Sequence, residues 1–435
     1  MSTPRSTMSN SAAIAVVSLI FLTWGGLTSL NDVLIPHLKA VFSMNYVQTL
    51  LIQFTFFGAY FLMSIPAGTI VSRIGYKASI VVGLLVAAAG AALFFPAARL
   101  PSYGLFLTAL FVLASGITLL QVSANPYIAL LGPPESSHSR LTFAQALNSF
   151  GTTAFPYFIG PLILAGTVLG ADQIAAMPMA DQIAYRASEA RSVEMPYLML
   201  AGGLLLLAVF VVTMRIPSLR AEGASTRDPH TFREALAHPH LRWGVLGIFM
   251  YVGAEVAIGS FLINYMAEPA IGGLSEAAAS RFLAFYWGGA MVGRFIGAAL
   301  MTKIDARKLL AFAAVMVCVL LTVTMTNSGS IAMWSALAVG LFNSIMFPTI
   351  FTTAIERLGT LTSKASSLLV MAIVGGALIP LAQGALADRV GIQLSFVIPL
   401  VCYVYIIWYG LRGSRVRGDA LAPAGTPTPR PSAMH

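Results

Sequence analysis

Long apolar segments constrain the fold of this chain more than any other feature of its sequence. A hydrocarbon core of about 30 Å requires roughly 20 apolar residues per helix, so each such segment predicts a membrane-spanning helix. Only 9% of the 435 residues are charged, whereas a soluble domain carries about 25%. This composition excludes soluble enzymes, disordered scaffolds and nucleic-acid binders. Twelve segments are predicted to span the membrane: 12–36, 46–71, 78–97, 104–131, 141–166, 195–217, 242–266, 276–301, 308–327, 330–355, 365–387 and 391–412.

The distribution of basic residues predicts the orientation of these segments. If both termini are cytoplasmic, the cytoplasmic connections contain 18 of the 25 Lys and Arg residues and the opposite connections contain six. The remaining one, Arg294, lies inside a segment. Because positive charge concentrates on the cytoplasmic side of membrane proteins, we expect both termini in the cytoplasm. The net charge of +9 is then expected to set orientation rather than to bind nucleic acid.

A repeated pattern predicts two homologous halves. The glycine–proline–glycine pattern that begins at Gly151 recurs at Gly375, 224 positions later, and Arg140 and Lys364 each precede a copy by eleven residues. Matching patterns at one constant offset are typical of transporters built from two parallel repeats. The predicted division is an N-terminal six-helix half, a cytoplasmic connector, a C-terminal six-helix half and a disordered tail, at 1–217, 218–241, 242–412 and 413–435.

The connection between the second and third segments carries a motif of the form Gly-x3-Ser-Arg-x-Gly-x-Lys, which begins at Gly68. It resembles the loop motif of the major facilitator superfamily, except that Ser72 replaces the usual aspartate. A degenerate second copy begins at Gly293 and includes Arg294. The resemblance assigns five residues to a conformational gate: Gly68, Arg73, Gly75, Lys77 and Arg294.

Five further blocks resemble the fucose–galactose–glucose:proton symporters within that superfamily. The fucose-transporting members carry a glutamate where this chain has Gln121 and an amide where it has Glu255, whereas their first-segment aspartate is retained as Asp32. The chain is therefore more similar to the glucose, galactose and amino-sugar members. The blocks cover residues 30–36, 123–127, 144–151, 251–255 and 347–351.

This resemblance implies the major facilitator fold, an all-α membrane protein with twelve transmembrane helices in two pseudo-symmetric six-helix halves. It also implies alternating access and cation-coupled sugar uptake across a bacterial inner membrane. The expected partners are a small-molecule sugar, a coupling ion and the lipid bilayer. We expect a monomer that is not an enzyme and that uses no cofactor, metal or nucleic acid.

Two carboxylates inside the apolar segments are candidates for ion coupling. An ionised side chain in hydrocarbon costs at least a few kcal/mol, so its presence there indicates a function. Asp32 lies near the outer end of the first segment, and Glu255 lies near the middle of the seventh. The resemblance favours Asp32 as the carrier of the coupling proton. Glu255 is an alternative carrier and a candidate sugar ligand, and the sequence does not separate these roles.

Amide side chains recur at helical spacing on the fourth and fifth segments. Amides both donate and accept hydrogen bonds, which suits a ring of sugar hydroxyls that loses its water on binding. Buried amides also join membrane helices to each other, so both roles remain open. The predicted sugar-binding residues are Asn31, Gln121, Asn125, Gln145, Asn148, Glu255 and Asn343.

Three classes of function compete. The leading prediction is an importer of a hexose or hexosamine by proton symport, with sodium as the alternative ion. A drug/proton antiporter of the same fold would favour an apolar, aromatic cavity over amides. A membrane-embedded enzyme would need clustered nucleophiles, bases or metal ligands, and the segments offer two separated carboxylates.

Four histidines lie outside the segments and are predicted to be in loops: His138, His230, His238 and His240.

Overall fold

The computed structural model describes residues 9–42, 46–100, 102–163, 173–174, 176–192, 194–217 and 231–416. These residues form α-helices joined by short connections and 3₁₀ or π turns, and no strand occurs among them. The helices are α1 Asn10–Phe42, α2 Tyr46–Arg99, α3 Tyr103–Leu130, α4 Ser137–Ile163, α5 Met179–Ser192, α6 Glu194–Thr213, α7 Phe232–Ala237, α8 Pro239–Ala267, α9 Glu276–Leu300, α10 Ala306–Thr326, α11 Gly329–Asn343, α12 Met346–Ala354, α13 Thr362–Met371, α14 Gly375–Val390, α15 Ile392–Ser395 and α16 Val397–Trp408.

Within these ranges, ten helical stretches are long and apolar enough to cross a membrane. Their outward faces are apolar: the side chain of Leu206 is 73% exposed and that of Val401 is 60% exposed. Such exposure would be costly in water, and it is the surface that a bilayer requires.

The 54-residue helix α2 contains a break at Gly75, where φ is 80°. A left-handed φ ends an α-helix and is readily adopted only by glycine. The two predicted segments 46–71 and 78–97 therefore lie on either side of this break. Beyond it, the Lys77 ammonium donates to the carbonyls of Val212 and Met214 at 3.0 and 2.7 Å. These bonds satisfy carbonyls at the end of α6, which no residue of that helix can reach.

Two predicted segments, 330–355 and 391–412, match apolar stretches of the structure, Gly329–Ala354 and Ile392–Gly413, but each contains a break that the sequence did not predict. The segment 330–355 is broken between α11 and α12, and the segment 391–412 is divided into α15, α16 and a π turn at Tyr409–Gly413. The polar regions between the predicted segments also contain helices, α5 and α7. The short helix α7 begins with a capping box formed by Thr231 and Glu234, which stabilises an isolated turn.

The helices pack in two groups, which we call the N-terminal bundle (α1–α6) and the C-terminal bundle (α8–α16). In the first, α4 packs on α1, and a Cβ atom at Gly151 would lie 2.1 Å from the Leu22 carbonyl oxygen. In the second, α14 packs on α8, and a Cβ atom at Gly375 would lie 2.1 Å from the Phe249 carbonyl oxygen. Small residues allow such close approach between membrane helices. The two copies of the sequence pattern therefore make the same kind of contact.

The two bundles contact each other mainly toward one end, which we call the closed end. There α9 packs on α4, where the Ser139 hydroxyl donates to the Ala298 carbonyl at 2.8 Å. Helix α13 packs on α2, where Gly68 lies so near Ser367 that a Cβ atom would overlap its hydroxyl. The contact between the bundles continues along α2 to Phe57, whose ring lies against Gly376.

Candidate functional site

Glu255 lies on α8 inside the C-terminal bundle. Its side chain is 13% exposed, and its Oε1 atom is 4.0 Å from Arg294 Nη2 on α9. Oε1 has no hydrogen-bond donor among the described residues. A buried carboxylate oxygen without a donor is costly, so this atom is available to a proton or to a ligand hydroxyl.

Arg294 is held on the other side by the residue that follows α11. Its Nε atom donates to the Ser344 carbonyl at 3.2 Å. The adjacent Gly293 allows this approach, because a Cβ atom there would lie 2.3 Å from the Leu341 carbonyl oxygen. Gly293 therefore lies at a close contact between α9 and α11. The structure places the guanidinium of Arg294 beside Glu255, and the gate role that the resemblance assigns to Arg294 stays a prediction.

Three tyrosines and one amide surround this pair. Asn343 is fully buried, and its Nδ2 donates to the Tyr286 hydroxyl at 2.9 Å while its Oδ1 accepts from the Tyr403 hydroxyl at 2.7 Å. Tyr286 in turn donates to the Glu255 backbone carbonyl at 3.1 Å. Tyr251 donates to the Asn343 backbone carbonyl at 2.9 Å. These four side chains join α8, α9, α11 and α16 around Glu255.

The predicted amides of the N-terminal bundle also make hydrogen bonds with protein groups. Gln121 Nε2 donates to the Tyr60 hydroxyl at 3.0 Å, and Asn148 Nδ2 donates to the Phe21 carbonyl at 2.9 Å. Gln145 Nε2 donates to Asn125 Oδ1 at 3.2 Å. Gln121, Gln145 and Asn148 are partly exposed. Each therefore keeps polar atoms that can turn toward a ligand.

Asn125 is different, because it is fully buried and its Nδ2 has no acceptor in the part of the chain that the structure describes. The structure brings Gln145 and Asn125 together, a contact that the sequence did not predict. The side chains of Asn31 and Asp32 lie outside the described residues, although the backbone of both belongs to α1.

The residues of the loop motif lie at or near the closed end. Gly68 contacts α13, Gly75 breaks α2, and Lys77 binds the end of α6. Arg73 is exposed. The structure therefore gives Gly68 a contact between the bundles, whereas the contact of Lys77 stays within the N-terminal bundle.

The contact of His138 across the closed end was not predicted, because this residue was expected to lie in a loop. It is in the first turn of α4, and its Nδ1 atom is 2.5 Å from the Thr352 hydroxyl on α12, across the closed end. Burial, together with the positive charges of Arg307 and Arg140, lowers the pKa of His138 to about 4, although Glu356 and Asp305 act in the opposite direction. The same expectation was wrong for His240, which lies inside α8.

The pairing of Glu255 with Arg294 was also missed. The signal that pointed to it is that both are charged residues in otherwise apolar segments, where opposite charges generally pair. Spacing along the chain does not link them, because they are on different helices.

Comparison with known proteins gives several close matches. The glucose/galactose transporter of Brucella abortus biovar 1 (strain 9-941) is 52% identical over 403 residues, which cover 93% of this chain and 94% of the relative. A putative glucose/galactose transporter of Helicobacter pylori (strain ATCC 700392 / 26695) is 44% identical over 410 residues, covering 93% of this chain and 97% of the relative. The L-fucose-proton symporter of Escherichia coli (strain K12) is 34% identical over 398 residues, covering 90% and 91%.

The fold has a counterpart among solved structures. A crystal structure of the E. coli fucose:proton symporter FucP matches with a TM-score of 0.88 and 33% identity, covering 94% of this chain and 100% of that chain. FucP in the outward conformation matches with a TM-score of 0.86, also at 33% identity, covering 93% and 99%. The family model of the Major Facilitator Superfamily matches residues 16–373. This chain therefore belongs to the Major Facilitator Superfamily.

Proposed function

We propose that this protein imports a hexose by proton symport, with glucose and galactose as the first candidates. The observation that carries the proposal is the buried Glu255, with an Oε1 atom lacking a donor beside Arg294. Partly exposed amides on the opposite bundle complement it with groups that bind hydroxyls. The names of the relatives, two of them glucose/galactose transporters and one an L-fucose-proton symporter, support this reading.

The proposed arrangement has twelve membrane-spanning helices. Ten stretches satisfy the length and hydropathy requirement, one of these is divided in two at Gly75, and the 27-residue α4 completes the set. The proposed halves are residues 1–217 and 242–412, joined by the connector 218–241 and followed by the tail 413–435. The matching glycine contacts of α4 with α1 and of α14 with α8 support this division.

We place both termini in the cytoplasm of a bacterial cell, in its inner membrane, because of the excess of Lys and Arg on that side. The closed end is then cytoplasmic, and the central site opens to the outside. The likeness to FucP in the outward conformation supports this assignment. The protein is proposed to act as a monomer in the bilayer, as its pseudo-duplicated chain supplies both halves of the pathway.

Within this site we assign sugar contacts to Gln121, Gln145, Asn148 and Glu255, with Asn31 and Asn125 as further candidates. Asp32 is proposed as the carrier of the coupling proton. Arg294 is proposed to stabilise the ionised Glu255, so that a proton or a sugar hydroxyl on Oε1 competes with the guanidinium. Sugar binding and proton loading would thereby both act on the Glu255–Arg294 pair. One proton that crosses 100 mV supplies about 2.3 kcal/mol, which sustains roughly a 50-fold sugar gradient.

The test is uptake of radiolabelled sugars by purified protein in liposomes. Glucose, galactose, fucose, fructose, mannose and N-acetylglucosamine are compared under an imposed pH gradient, a sodium gradient and no gradient. We expect glucose or galactose to accumulate only when the outside is acidic. If a sodium gradient alone drives accumulation, the coupling ion is sodium rather than the proton. Expulsion of a lipophilic dye without uptake of any sugar would overturn the proposal.

A further inference from the structure

The C-terminal bundle contains a helix break next to its buried ion pair. Helix α11 ends at Asn343 and α12 begins at Met346. The last carbonyls of a helix have no partner within that helix. Two of the carbonyls at this break accept bonds from side chains of other helices: Asn343 from Tyr251, and Ser344 from Arg294.

Both polar atoms of the Asn343 side chain, at this break, make hydrogen bonds with other helices. The amide of Asn343 accepts from Tyr403 and donates to Tyr286, at 2.7 and 2.9 Å, and none of the residue is exposed. A sugar could reach this amide only by replacing one of these buried bonds. Tyr286, which receives one of them, donates its own proton to the backbone of Glu255.

We propose that Asn343 is a positioning residue rather than a sugar ligand. It orients Tyr286 against the Glu255 segment of α8, and the carbonyl that follows it holds Arg294 beside the Glu255 carboxylate. The break between α11 and α12 thus places both members of the ion pair. This inference rests on the proposed function, because it describes how the site of that function is built.

The physical reason is that a buried polar network is strong only when all its members are satisfied. Removing the Tyr286 hydroxyl leaves Asn343 Nδ2 without an acceptor and the Glu255 carbonyl without a side-chain donor. The segment of α8 that carries Glu255 can then move relative to Arg294. The effect on sugar binding should pass through Glu255, which makes it separable from the effect of a direct ligand.

The experiment is a double-mutant cycle read by sugar binding to the full chain. Tyr286→Phe and Asn343→Ala are made alone and together with Glu255→Gln, and equilibrium binding of the transported sugar is measured. The control is Tyr265→Phe, since this buried tyrosine lies on α8, the helix that carries Glu255, and like Tyr286 donates to a backbone carbonyl, that of Thr324 at 2.9 Å. The control residue makes no contact with Asn343 or Glu255 among the hydrogen bonds of the described helices.

We expect Tyr286→Phe to weaken sugar binding about fivefold, which corresponds to one buried hydrogen bond. In the Glu255→Gln background the same change should have an effect of less than about twofold. Tyr265→Phe should change binding less than about twofold in both backgrounds. If Asn343→Ala and Glu255→Gln act additively, Asn343 acts independently of Glu255 and the proposal is wrong. If the network variants lower only the unfolding temperature and leave binding unchanged, it is also wrong.

A second readout does not require a sugar. A hydrophobic carbodiimide reacts with carboxyl groups in apolar surroundings, and labelling of Glu255 can be followed by the mass of its peptide. We expect Tyr286→Phe to change the labelling rate by about threefold or more, and Tyr265→Phe to leave it unchanged. Unchanged labelling in the network variants would overturn the positioning role. A wild-type chain that binds none of the sugars would instead overturn the proposed function, while the labelling result would still stand.

Discussion

Acidification is predicted to open the closed end through His138. This histidine is half-buried between α4 and α12, with its Nδ1 atom beside the Thr352 hydroxyl. Because burial lowers its pKa to about 4, it is neutral at pH 7. Protonation would place a positive charge among the positive charges of Arg307 and Arg140. The carboxylates of Glu356 and Asp305 offset part of this repulsion. Once the bundles separate, water solvates the imidazole and the penalty disappears.

The magnitude follows from the two pKa values of this histidine. Its pKa is about 4 in the closed arrangement, compared with 6.5 for a solvated side chain. The open arrangement therefore binds more protons between these values. The closed arrangement has its full stability above pH 6.5 and loses it as the pH falls toward 4. Complete protonation costs about 3 kcal/mol, and at pH 5.5 the closed-to-open ratio falls roughly tenfold relative to pH 8.

The assay is a distance measurement between spin labels across the closed end. Labels are attached to cysteines introduced at the exposed positions Ala78 and Lys303, after replacement of Cys318 and Cys402 by serine. Between pH 8 and pH 5.5 the ratio of long to short distances is expected to rise about tenfold in the parent chain. In His138→Gln, which cannot titrate in this range, the distribution should be the same at both values.

His238→Gln provides the matched control, because His238 lies on the connector side of α8 and makes no contact across the closed end among the bonds that the structure describes. This variant should keep the pH response of the parent chain. If His138→Gln opens on acidification as the parent does, the response arises from another group. If the parent does not open at all, His138 is not protonated in the manner that its burial implies.

Three further predictions concern helix packing, the two carboxylates and Gln121. Gly293→Ala places a methyl group against the backbone of α11 and is expected to destabilise the protein by about 1–3 kcal/mol. The control Gly288→Ala, with open space around the new methyl group, should be neutral or stabilising by up to about 1 kcal/mol. Both are measured by thermal unfolding in detergent. Asp32→Asn is expected to abolish gradient-driven accumulation but to preserve counterflow. Glu255→Gln should lower sugar affinity more than it changes the proton stoichiometry. The reverse pattern in paired uptake and counterflow assays would make Glu255 the proton carrier. Gln121→Ala should weaken sugar binding without loss of coupling, and an unchanged affinity in that variant would remove this residue from the site.

The amino-acid sequence was sufficient to predict an all-helical membrane protein. The cost of burying charge in hydrocarbon restricts the composition of every span, so the spans can be recognised from local hydropathy alone. The break at Gly75 was also predictable as a loop, because a left-handed φ favours glycine. The same cost identified Glu255 as a functional candidate, since a carboxylate near the middle of a span needs a reason to be there.

Contacts between helices could not be predicted in this way. The distance from Glu255 to Arg294 depends on how closely α9 approaches α11, which Gly293 and the break after Asn343 set together. The environment of His138 depends on α12, more than 200 residues away along the chain. Local sequence determines which residues enter the membrane and which face of a helix is polar. Only the packing of helices distant in sequence decides which buried charge meets which partner, because that energy depends on separations of a few ångströms in a medium without water to screen them.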